Sequence, residues 1–232
     1  MIGVFVNVAA VILGSIIGLL CRKGIKQKVT DAVIIGLGLC VMYVGITGVM
    51  KGQNAIVAVI TMAVGGTIGT LIDIDKQINR LGDKIADKVK RTDGRTSVAE
   101  GFVSACLLFC IGAMAIVGSI NSGLGVDGGL EMIYTKSVLD FISSIVLSAS
   151  LGIGVIFSSI FVLVFQGGIV LLASVLAPIL SANVIAEITC VGSLMIIGLS
   201  LNILGAAKIK IANYLPAIFL VPLVVYVMSF VG

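Results

Sequence analysis

The sequence predicts an all-α, polytopic membrane bundle of about eight transmembrane helices with a possible inverted three-helix repeat, and three observations predict it. Of the 232 residues, 59% are apolar and only 11% are charged, whereas an ordinary soluble domain carries about 25% charged residues. Mean hydropathy is +1.26. The charges are also clustered, with seventeen of them confined to residues 22–31 and 73–95. Between the clusters lie apolar stretches near the roughly 20 residues that a helix needs to cross the hydrocarbon core.

Read in order, the spans fall near 2–20, 32–50, 54–72, 98–120, 137–152, 154–177, 184–204 and 213–231. The first is not a secretory signal, because no positive charge precedes it while Arg22, Lys23, Lys26 and Lys28 follow it. The apolar run from Ser137 to Leu180 is too long for one helix. Gly152 and Gly154 mark the tight turn that divides it. Asn54 and Asn213 read as N-caps of the spans they precede. Gly14-x3-Gly18 and Gly65-x3-Gly69 are small-residue pairs that permit close helix packing.

Charge sets the orientation. With the N-terminus outside, the interior loops 21–31, 73–97 and 205–212 hold four, seven and two Lys/Arg, and the exterior loops hold only Lys51 and Lys136. Cytoplasmic loops carry such an excess, so both termini are expected outside an inner membrane. The chain reads as a single membrane domain, 1–232, with 73–97 as its one sizeable cytoplasmic piece. There Ile74, Ile78, Leu81, Ile85 and Val89 form one helical stripe between basic residues. That pattern predicts a helix lying on the inner membrane surface.

Several function classes drop out. The chain has no His and no Trp, which removes His-based triads, His-containing zinc sites and His-ligated haem. Cys106 and Cys110 share a helix face, but small apolar side chains at an interface explain them better than a metal pair. No cofactor or metal is expected, and the protein is not expected to be an enzyme. The net charge of +4 belongs to membrane topology and not to a nucleic-acid partner.

The first and last three spans echo each other. Ile34-Ile-Gly-Leu-Gly-Leu39 matches Ile196-Ile-Gly-Leu-Ser-Leu201 at five of six positions, Lys51-x-x-Asn54 resembles Lys210-x-x-Asn213, and Gly3–Asn7 resembles Gly154–Ser158. Matching helices lie five spans apart and therefore run in opposite directions. This is the pattern of an inverted repeat, common among transporters.

Polar residues inside the spans are the candidate site. Three acids, Glu100, Asp140 and Glu187, each admit a capping explanation: Ser97-x-x-Glu100 and Ser137-x-x-Asp140 fit a capping box, and Glu187 falls in a first turn after Asn183. Asp140 also begins a polar stripe with Ser143, Ser144 and Ser148. Gln166-Gly167-Gly168 lies mid-span, where a glycine pair is expected to break the helix and a glutamine must find a partner or a wet cavity. Asn7, Ser15 and Asn202 add further deep polar groups.

Leu108–Ile120, Lys136–Asp140, Gly152–Val155, Gln166-Gly167 and Ala212–Pro216 together resemble the bacterial YqgA/YdfK-like family, domain of unknown function 554. The resemblance spans essentially the whole chain and implies a multi-pass inner-membrane protein. It implies no reaction and no set of functional residues.

The expected function is transport of a small solute or ion. Asp140 would bind a cation or proton, with Gln166, Gly167, Gly168, Asn7, Asn202, Ser143 and Ser144 around the substrate. The alternative is a non-transporting scaffold or sensor acting through the basic 73–97 loop. The expected partners are the lipid bilayer, a small solute and a second copy of the chain in a homodimer.

Overall fold

The computed structural model describes residues 1–21, 27–78, 80, 98–110 and 113–229. The helices are α1 (Ile2–Cys21), α2 (Gln27–Val49), α3 (Ala55–Ile72), α4 (Val98–Cys110), α5 (Ala113–Leu124), α6 (Gly129–Leu151), α7 (Gly154–Leu171), the one-turn α8 (Ala173–Leu176), α9 (Ala182–Ile203) and α10 (Leu215–Met228). A 3-10 turn, Ile211–Tyr214, leads into α10. The described residues contain no strand.

Among the described residues six helices are long and apolar enough to cross a membrane, namely α1, α3, α6, α7, α9 and Ile211–Met228. Counting α4 with α5, whose axes differ by 58°, as one bent span brings the number to seven. Among the described residues the apolar part of α2, Ile34–Val49, is shorter than a full span, so the eight expected spans are not confirmed. Beyond residues 74–78 and Arg80, the expected amphipathic helix of the 73–97 loop lies outside the described residues, as does Ser97.

Side-chain size identifies the solvent. On α1 the buried residues are Gly3, Val4, Asn7, Val11, Gly14, Ser15 and Gly18, while Phe5, Leu13, Ile16, Ile17 and Leu20 face outward. Large apolar groups outside and small or polar groups inside invert the pattern of a water-soluble fold. Lipid is the medium that tolerates this, and the protein is a multi-pass membrane protein.

The chain divides into two compact units, Met1–Leu37 with Asn79–Leu176, and Gly38–Ile78 with Ala177–Gly232. In the first, α1 lies parallel to α6 at close range. A Cβ on Gly14 would overlap the Phe141 carbonyl and the Ser144 hydroxyl, and one on Gly18 would overlap the Ile145 carbonyl. The Gly14-x3-Gly18 pair is thus spent on packing inside the protomer. Below it, Val11, Ala105, Phe109, Cys110, Leu147, Leu151, Val155 and Val162 form a continuous apolar core. The expected turn is present: α6 stops at Leu151, and Gly152 adopts φ +83°, a conformation that disfavours side chains.

In the second unit, Gly65 and Gly69 of α3 pack on Ala217 and Asn213 at the start of the last span. Gly38, Gly45 and Gly48 of α2 face Leu204, Ile197 and Ser193 of α9 in descending order, an antiparallel pairing. The Ser200 hydroxyl donates to the Gly38 carbonyl at 2.7 Å.

The capping expectations divide. Asn54 caps α3, its side chain accepting from the Ile56 amide. Asn213 instead accepts the amide of Asp75 at 2.8 Å from inside the 3-10 turn. Glu187 is not in a first turn, because Ser181 caps α9. It reaches across to accept the amides of Gln53 and Asn54 at 2.7 and 2.8 Å. Glu100 does lie in the first turn of α4.

Candidate functional site

The first unit gathers its polar residues at one level. Helix α6 begins at Gly129, eight residues before Ser137, so Ser137 is no N-cap and Asp140 closes no capping box. Its hydroxyl bonds back to the Ile133 carbonyl at 2.8 Å, the usual resort of a mid-helix serine. The early start also moves Lys136 out of the expected exterior loop and into the helix. Lys136 and Asp140 stand four residues apart, hence on one face. Both are buried, at 6% and 4% exposure, and the ammonium nitrogen lies 2.7 Å from each carboxylate oxygen.

Two further helices close on this pair. Asn7 of α1 donates its amide to Asp140 Oδ2 at 3.0 Å and to Gln166 Oε1 of α7 at 3.0 Å. Neither Asn7 nor Gln166 has any exposed surface. Asp140 is the twelfth of the 23 residues of α6, so at 1.5 Å per residue it sits about 16 Å from either end. That is close to mid-depth in a hydrocarbon core about 30 Å thick. A bare charge there costs at least about 2.5–3.5 kcal/mol. Pairing with Lys136 makes the site neutral overall, and the Asn7 amide supplies a further donor to the carboxylate.

The cluster is not fully satisfied. Among the described residues, Asn7 Oδ1 and Gln166 Nε2 are buried without a hydrogen-bond partner, as are the hydroxyls of Ser15, Ser119, Ser148 and Ser150. Ser15 and Ser148 continue the α1–α6 seam past Ser144, so polar atoms run from the cluster along half the length of α6. Toward the other end of α6, a cavity of about 370 Å³ is bordered by Met1, Ser122, Asp127, Leu130 and Glu131, among others. None of the four cluster residues lines it. The described residues contain no group of three or more His, Cys, Asp or Glu that could hold a metal ion.

Of the expected site residues, Asn7, Asp140 and Gln166 come together and the others do not. Ser143 is exposed. Ser144 is buried but bonds to the Phe141 carbonyl of its own helix at 2.8 Å. Helix α7 runs unbroken through Gln166-Gly167-Gly168 to Leu171, so the expected mid-span break is absent. Gly167 lies against the Met1 side chain, and nothing approaches Gly168 within 4 Å of where a Cβ would stand. Asn202 belongs to the second unit, where its amide bonds both the N–H and the carbonyl of Ile209 and closes the turn after α9. Lys136 is the member that sequence reasoning missed. Its signal was the Lys136-x3-Asp140 spacing together with the glycines at 125, 128 and 129, which mark the true start of the helix.

The sequence profile of the DUF554 family, described as a protein of unknown function, matches residues 2–226. The chain is 32% identical over 236 positions to the uncharacterized membrane protein YdfK of Bacillus subtilis (strain 168), covering 100% of this chain and 99% of that one. It is 28% identical over 222 positions to the uncharacterized protein YqgA of Escherichia coli (strain K12), covering 94% of each. No solved structure matches the chain.

Proposed function

The chain belongs to the DUF554 family, and on that premise we propose that it is a carrier for a small solute or ion, with the buried Lys136–Asp140–Asn7–Gln166 cluster as its binding centre. The observation that carries this reading is a buried Lys–Asp pair half-way along a span-length helix, bonded to Asn7 of α1 and through it to Gln166 of α7, both of which still hold an unpaired polar atom. Ionisable residues inside spans are costly, and they characteristically mark solute and ion pathways. Burial of all four side chains supports a carrier over an open pore, since a carrier passes through states in which its site is closed to both sides.

Antiparallel packing of sequence-matched helices supports the same reading. Helix α1 meets α7 through Asn7 and Gln166, α2 meets α9 through Gly45 and Ile197, and α3 meets the last span through Gly65 and Ala217. Pairing of this kind is what an inverted repeat would produce. In this reading α2 crosses as an eighth span, and the protein lies in the inner membrane with both termini outside, as the distribution of Lys and Arg supports. It performs no covalent chemistry. If it forms a dimer, the contact uses other surfaces than its two small-residue pairs, which are occupied within the protomer.

The test is flux through purified protein in liposomes with a panel of ions and small solutes, read as solid-supported-membrane current for electrogenic transport and as solute uptake for electroneutral transport. A carrier gives solute-dependent current or uptake that Asp140→Asn abolishes. A non-transporting scaffold gives neither, and flux that the substitution leaves intact removes Asp140 from the binding centre.

A further inference from the structure

We infer that Lys136 is a tethered counter-cation, and that the solute exchanged for its proton at Asp140 is a monovalent inorganic cation. The inference rests on the carrier reading above and adds a substrate class to it.

Charge arithmetic carries the first step. The cluster holds one carboxylate, balanced by one ammonium. A divalent ion replacing the ammonium would leave an uncompensated positive charge at mid-depth. An anion drawn to Lys136 would meet the Asp140 carboxylate already in contact with it. A single positive charge is the load that leaves the site neutral.

The donor set carries the second. Both oxygens of Asp140, Gln166 Oε1 and the unpaired Asn7 Oδ1 belong to one hydrogen-bonded group. Hard oxygen donors suit hard cations. The exposed carboxylates Asp127 and Glu131 border the cavity at the Lys136 end of α6, Glu131 lying five residues, about 7.5 Å, before Lys136. A cation arriving from that side passes two negative charges before reaching the pair.

The exchange balances. The cation takes the position of the ammonium beside Asp140, and Lys136 becomes a neutral amine by releasing its proton to water on the side from which the cation came. The site is neutral before and after, and one cation moves for each proton. An ammonium, unlike a guanidinium, can release a proton and stay in place as a neutral amine. Few other titratable groups face it. Helices α5 and α7 contribute none, and α1 contributes only Cys21 at its far end. Helix α4 brings the buried thiols Cys106 and Cys110, with Glu100 at its start, α6 itself adds Glu131 and Tyr134, and Met1 with its amino group borders the cavity beside Glu131.

The experiment uses the full chain in phosphatidylethanolamine–phosphatidylglycerol vesicles loaded with a pH-sensitive dye, challenged with lithium, sodium, potassium, rubidium or choline chloride. Isotope uptake of sodium or rubidium is followed in parallel. The expected result is a rise in lumenal pH with one or more alkali cations and none with choline. Asp140→Asn loses both the pH rise and the isotope uptake, while Asp140→Glu retains them and shows that loss is not misfolding. Lys136→Gln loses the pH rise at least tenfold, and its remaining cation uptake becomes dependent on membrane potential. Cation uptake without proton movement, or currents driven only by a neutral or anionic solute, overturn the inference and leave the carrier reading standing. Wild-type vesicles silent to every solute and cation overturn both.

Discussion

Lys136 and Asp140 form a bidentate ion pair on one turn of α6, with the ammonium nitrogen 2.7 Å from both carboxylate oxygens and both side chains withdrawn from solvent. Removing one partner leaves a lone buried charge, whereas removing both does not. Lys136→Met or Asp140→Leu alone is therefore expected to destabilise the protein by about 3–5 kcal/mol. The double substitution recovers most of that loss. Thermal unfolding in mild detergent, read as a double-mutant cycle, checks the coupling.

Gly14 and Gly36 predict opposite outcomes for the same change. Gly14→Ala forces a Cβ into the Phe141 carbonyl and the Ser144 hydroxyl and is expected to cost about 1–3 kcal/mol as overpacking. At Gly36 nothing lies within 4 Å of the new Cβ. There Ala removes a mid-helix glycine and should stabilise α2 by about 0.5–1 kcal/mol. Melting temperatures of the two variants decide this.

Glu187 holds the turn before α3 by accepting two consecutive backbone amides, those of Gln53 and Asn54. Glu187→Ala leaves both donors without that partner, at an expected cost of about 1–3 kcal/mol in all, since Gln53 is exposed and Asn54 half-buried. Hydrogen exchange should quicken at residues 53–57 and not in α6. Glu187→Gln keeps an acceptor oxygen and should show a smaller effect.

Asn202→Ala should open the turn between α9 and the 3-10 segment, since two hydrogen bonds to Ile209 are lost together. A loss of about 1–2 kcal/mol of stability is expected, read as a lowered melting temperature, with flux per folded molecule at the wild-type level. A selective loss of flux would return Asn202 to the binding centre.

The sequence made legible what depends on local pattern. The turn at Gly152, the Asn54 cap and the grouping of large apolar residues into membrane-facing helices follow from residues near one another in the chain. Asn7, Asp140 and Gln166 were recognisable because deep polar groups in an oily span require partners. Lys136 was not, because counting apolar residues began the span at Ser137 and left a long, charged side chain outside it. Burial of its ammonium depends on a carboxylate one turn further on and on amides from two distant helices. Gln166-Gly167-Gly168 misled for a related reason. Glycine weakens an isolated helix, but α7 is held by packing against α1, α4 and α5, so it continues to Leu171. Glu187 and Asn213 reach partners over 130 residues away in sequence, beyond what spacing alone can indicate.

The central claim is that the buried pair moves solute and is not merely a joint between helices. It is tested most directly by flux through the Lys136→Met, Asp140→Leu double variant in liposomes, compared with wild type at equal folded protein. The account predicts a protein of near wild-type thermal stability that conducts nothing. Flux equal to that of the wild type would contradict it and leave the pair a structural element only.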